Sequence, residues 1–118
     1  MSNIFEQLKG MVFTNISGMK EGSEEVVFKT LCGKVFKMHH YQDCCEEVYL
    51  CDVCGDVEDL LNSPIIHFEE RTEVGEETEY TSSTYTFYDI QTTKGSVNLR
   101  WFGESNGYYS EDVDFVEV

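Results

Sequence analysis

Apolar and polar positions alternate at period two through most of the chain. Over residues 11–17, Met11, Phe13 and Asn15 face one way and Val12, Thr14 and Ile16 the other, as in a half-buried strand. Glu25–Leu31 and Lys34–Tyr41 are rich in β-branched and aromatic residues and flank Cys32-Gly33, which predicts a hairpin. Glu47–Val53 reads as a further strand, followed by Ile65–Val74, Ser83–Thr93 and Ser96–Gly103, the last two divided by Lys94-Gly95. In the closing segment, Tyr108–Val118, Val113 and Phe115 alternate with Asp112, Asp114 and Val116. Two segments break the pattern. Asn3–Lys9 places Ile4, Phe5 and Leu8 on one helical face before Gly10, and Asp56–Leu61 suits a helical turn stopped by Asn62-Ser63-Pro64. These elements predict an α+β fold of mostly antiparallel β-sheet with one or two short helices, in one compact domain over residues 1–118.

Composition allows such a domain. Hydrophobic residues make up 41% of the 118, enough for a core rather than a disordered acidic tail. The charge narrows the function: 23 Asp and Glu against 8 Lys and Arg give a formal net charge of -15. A Lys/Arg groove for phosphates is incompatible with two arginines in all, so direct nucleic-acid binding is not expected. Adsorption to an anionic membrane is disfavoured for the same reason. A strongly basic protein partner suits this charge. No basic-then-apolar leader opens the sequence and no apolar run approaches a bilayer span, so a reducing cytoplasm is the expected compartment.

The acids are clustered. Residues 43–59 hold seven, among them Glu46, Glu47, Asp56, Glu58 and Asp59, with no Lys or Arg. Residues 69–79 hold Glu69, Glu70, Glu73, Glu76, Glu77 and Glu79 against Arg71 alone. Such stretches suit solvated faces, or a surface that imitates a phosphate backbone and meets its partner by electrostatic steering. Both stretches are therefore candidate partner-binding surfaces.

Four cysteines fall within eleven residues, at Cys44, Cys45, Cys51 and Cys54, just after His39-His40. In a reducing compartment this density suggests a metal site before a disulfide framework. Zinc favours thiolate and imidazole ligands in a tetrahedron, and Cys51-x-x-Cys54 has a short spacing of the kind used to hold one ion. His40 with Cys44 or Cys45 could complete a closed, structural site. Adjacent side chains on an extended chain point apart, so one of Cys44 and Cys45 is expected to be packed inside. His67, in Ile65-Ile66-His67-Phe68, is expected as a satisfied histidine at the edge of the core. No nucleophile elbow or phosphate loop is present, and a closed metal site would leave no open position for substrate, so a non-enzyme is expected. A small metal-dependent hydrolase using Asp52, Asp56 or Glu46 is the alternative from the enzyme class. Asn106-Gly107, between aromatic-rich arms, predicts a hairpin turn in Trp101-Phe102-Gly103-Glu104-Ser105-Asn106-Gly107-Tyr108-Tyr109-Ser110.

Several strings carry a family resemblance. His40-Tyr41-Gln42-Asp43-Cys44-Cys45-Glu46, Asp52-Val53-Cys54-Gly55-Asp56-Val57-Glu58-Asp59-Leu60, Ser63-Pro64-Ile65 and the Trp101–Ser110 string with Val113-Asp114-Phe115 resemble a family of small phage and mobile-element proteins of uncharacterised domain type. Small acidic proteins from that setting include zinc-containing anti-CRISPR inhibitors of type II systems. The resemblance implies protein binding in a bacterial host cytoplasm. The expected partner is the type II CRISPR effector nuclease, whose positively charged channel would be closed to target DNA. An accessory protein with another host target is the alternative binding reading.

Overall fold

The computed structural model describes residues 4–42, 45–107 and 109–118. A short helix, α1 (Ile4–Leu8), precedes eight strands: β1 (Phe13–Ser17), β2 (Glu25–Thr30), β3 (Val35–His39), β4 (Glu47–Cys54), β5 (Ile65–Val74), β6 (Ser82–Thr92), β7 (Gly95–Ser105) and β8 (Asp114–Glu117). A 3-10 turn, Val57–Leu60, links β4 to β5. The strands form two four-stranded sheets, ordered β1-β2-β3-β8 and β4-β7-β6-β5, with antiparallel pairing throughout. The expected dominance of antiparallel sheet is therefore found. The α+β label is too generous, because among the described residues five residues of α-helix and one 3-10 turn form no helical layer.

The core lies between the sheets. Phe13, Val26, Phe28, Phe36, Met38 and Phe115 come to it from the first sheet; Phe68, Tyr88, Ile90, Val97, Leu99 and Trp101 come from the second. The ring of Phe68 lies 5.2 Å from Phe115 and 6.3 Å from Phe28, centroid to centroid. Helix α1 closes one side, with Leu8 fully buried and Phe5 stacked on Phe68 at 5.1 Å.

Past β7 the structure departs from the expected hairpin. Gly107 takes φ +93 and its amide bonds Ser105 Oγ at 3.0 Å, so the chain does turn there. The next strand, however, joins β3 in the other sheet, with Phe115 opposite Met38. Strand β7 already has β4 and β6 on its two sides and offers no free edge. The crossover is held by Glu111, a buried carboxylate that accepts hydrogen bonds from Ser82 (2.5 Å), Thr84 (2.8 Å) and Ser105 (2.5 Å). Burial pushes its pKa up, but the three hydroxyl donors outweigh burial and hold it below the ordinary value. Gly103 permits this passage: a Cβ there would stand 2.7 Å from the Glu111 carbonyl oxygen. Gly103 and Ser105 of this string therefore anchor the crossover, and Trp101 is buried in the core.

Candidate functional site

Strand β5 is an edge strand, and it outruns the core. Ile65 and Phe68 are buried, but every residue from Glu69 to Val74 is exposed on both faces of the sheet. The acidic run continues into the turn before β6. Glu76, Glu77 and Glu79 are exposed there, and Tyr80 projects with 76% of its surface free. The tip is ordered by its threonines: the Thr78 amide bonds the Thr81 carbonyl (2.8 Å), while the Thr78 hydroxyl accepts from the Thr81 amide (3.0 Å). The result is an aromatic side chain set among carboxylates at the end of a β-hairpin.

The second acidic stretch is less uniform. Glu47, Asp56 and Glu58 are exposed, and Asp59 is half-buried. Asp56 caps the 3-10 turn by accepting from the Glu58 amide at 3.0 Å. Glu46 is buried, with its side chain closed to solvent 3.8 Å from His40 Nε2, and adds nothing to an acidic surface. His40 is turned inward too, its Nδ1 2.7 Å from the Asp112 carbonyl oxygen.

The candidate metal ligands are dispersed. Cys44 lies outside the described residues, as does Asp43. Cys45 is engaged in a disulfide, which offers no thiolate to a cation while that bond stands. Cys51 and Cys54 are free thiols on β4. Cys51, at a β-bulge, faces outward as alternation from buried Val48 and Leu50 requires, and its Sγ meets the Arg100 carbonyl (3.1 Å) and Arg100 Nε (3.3 Å). Three residues of extended strand span about 10 Å, whereas two thiolates on one zinc must both lie within ~2.3 Å of it. A Cys-x-x-Cys needs a turn to converge, and here it runs along a strand. Among the described residues, no three of His40, Cys45, Cys51 and Cys54 bring ligand atoms within 4.8 Å of one another.

A different set does meet that distance. His67, Glu69 and Asp89, on the outer face of β5 and β6, each place a ligand atom within 4.8 Å of the other two. His67 Nε2 stands 3.1 Å from Glu69 Oε2 and 3.6 Å from Asp89 Oδ2. His67 is half-buried and satisfied by Glu69, as expected at the edge of the core, but its ring faces the outer side of the sheet. A bulge between Ile65 and His67 breaks the period-two count and turns the imidazole outward.

The same outer face holds a band of aromatics that sequence spacing could not assemble. Phe102 of β7 lies beside Tyr49 (5.8 Å) and Tyr85 (5.4 Å). Both arginines of the chain stand over this band, Arg71 4.7 Å from the Phe87 ring and Arg100 5.9 Å from that of Tyr85. Strand register alone brings these residues from β4, β5, β6 and β7 together.

The chain belongs to a family defined by a domain of unknown function, DUF7448, whose profile matches residues 6–115. Neither a curated protein nor a solved structure matches the chain. No helix among the described residues is long and apolar enough to cross a membrane.

Proposed function

We propose that the protein is a non-catalytic inhibitor that lays its acidic β5–β6 hairpin onto a basic surface of a nucleic-acid-handling enzyme. The observation that carries this reading is the hairpin itself. Six glutamates between Glu69 and Glu79 are exposed along the edge strand β5 and the turn after it, an acidic arm at the rim of the four-stranded sheet with Tyr80 in its turn. Carboxylates so placed attract a basic surface over several ångströms, and a projecting aromatic provides the contact area that usually dominates affinity. The family resemblance suggests the partner: the guide-loaded type II nuclease of a bacterial host, with the arm occupying its DNA channel, as an anti-CRISPR protein would. Glu47, Asp56 and Glu58 extend the acidic surface on β4 and the 3-10 turn.

The hydrolase alternative gains nothing from the geometry. Glu46 is buried against His40, Asp52 faces Arg100 at 4.0 Å, and Asp56 caps a turn, so the three carboxylates converge on no common point. A structural zinc on Cys51 and Cys54 is likewise unsupported, since their strand keeps them extended.

The reading is tested by adding the purified protein to guide-loaded nuclease before or after target DNA. Inhibition of cleavage is expected only when the protein is added first. Equal cleavage with and without the protein, in either order, would dispose of this partner and leave the acidic arm to another one.

A further inference from the structure

Glu69 and Asp89 face each other directly across β5 and β6. Like charges in that position repel, and a cation between them would relieve the repulsion. The structure places a nitrogen ligand at that point. The bulge after Ile65 turns His67 to the outer face, and its Nε2 stands within 3.6 Å of both carboxylates. Without the bulge, the alternation that buries Ile65 would carry His67 toward the core as well. Bulges that re-aim one side chain recur beside functional sites.

We infer that His67, Glu69 and Asp89 form an exchangeable binding site for a divalent first-row transition ion. One imidazole and two carboxylates suit ions from manganese to zinc, and metal–ligand bonds of about 2.0–2.2 Å fit three donors this close together. Gln91, opposite His67, donates its amide to Asp89 Oδ2 at 3.0 Å and orients that carboxylate, as outer-sphere partners of metal ligands do. Three protein donors leave coordination positions open. They face a recess of about 340 Å3 lined by Glu69, Arg71, Phe87, Asp89 and Asn98, so water or a small ligand completes the sphere. All three ligand residues are at least a third exposed, which makes the ion exchangeable rather than a folding centre. The site shares no residue with the Cys51–Cys54 pair, and it stands whether or not the arm binds a nuclease.

Metal titration tests the assignment directly. Mn2+ is titrated into isotope-labelled protein and paramagnetic broadening of the amide signals is recorded. Manganese favours oxygen and imidazole over thiolate, so the cysteines do not compete. Broadening at substoichiometric Mn2+ is expected first at residues 67–69 and 89–91. It should vanish in His67→Gln and in Asp89→Asn, whose circular dichroism should match the parent, and Gln91→Ala should weaken binding about tenfold. Broadening spread along residues 69–79 in proportion to charge, or persisting unchanged in His67→Gln, would overturn the assignment. No broadening at millimolar Mn2+ would also overturn it.

Discussion

Trp101 donates its indole N–H to the sulfur of Met38 at 3.2 Å, and both side chains are fully buried. This contact ties β7 of one sheet to β3 of the other at the centre of the core. Met38→Ala removes the acceptor and leaves a cavity, at a cost of about 2–5 kcal/mol, the range for large-to-small core changes. Val118→Ala, at an exposed position, should change stability by less than about 0.5 kcal/mol. Chemical denaturation of the two variants checks the contrast; equal effects would mean that Met38 is not a core residue.

Gly103→Ala should destabilise by about 1–3 kcal/mol, as overpacking does, because the new methyl group meets the Glu111 carbonyl oxygen at 2.7 Å. Hydrogen exchange should rise around residues 111–115, where the crossover is pushed away from β7. An unchanged exchange pattern there would contradict the close passage.

Glu111 gives the fold an acid-sensitive tie. Its pKa lies below the ordinary 4.5 in the folded state, so its contribution is complete above the unfolded value and is lost as pH falls through the lower folded one. Stability of the wild type should therefore drop below about pH 4.5 by more than that of Glu111→Gln. The variant should also be less stable than wild type at neutral pH, since its amide cannot accept all three hydroxyl bonds. Urea midpoints between pH 3 and 7 report both effects, and parallel pH profiles would argue against the tie.

Cys54→Ser should leave the melting temperature nearly unchanged, with or without chelator, because Cys54 is an exposed thiol at the end of β4. A chelator-sensitive loss of stability in the wild type that the variant lacks would restore a zinc ligand at this position.

A strand was legible at each of the eight places, and Ile65–Val74 matches its predicted bounds while Tyr108–Val118 shrinks to Asp114–Glu117, since period-two alternation survives wherever one face is buried. The exposed acidic run was legible as well, because charge needs no tertiary information. What stayed hidden depends on strand register. The bulge before His67 reverses the facing that simple alternation assigns, and the Cys-x-x-Cys spacing gives no sign that its residues lie on an extended strand, so the cysteine pair seemed able to converge and the histidine seemed to sit at the edge of the core. The aromatic band with Arg71 and Arg100 is drawn from four strands, and spacing within any one of them carries no trace of it. Asn106-Gly107 announced a turn correctly, but only the filled sides of β7 show that the strand after it must cross to the other sheet.

The most direct test of the proposed function compares two charge reversals of equal size in one binding assay. Glu76→Lys with Glu77→Lys alters the arm beside Tyr80, whereas Glu21→Lys with Glu24→Lys alters exposed positions far along the chain from it. Affinity for the guide-loaded nuclease is measured at two salt concentrations, with circular dichroism confirming both folds. The arm variant should bind at least tenfold more weakly, the control should bind within about twofold of wild type, and the wild-type affinity should fall as salt rises. Equal weakening by both pairs, or by neither, would contradict a specific acidic arm.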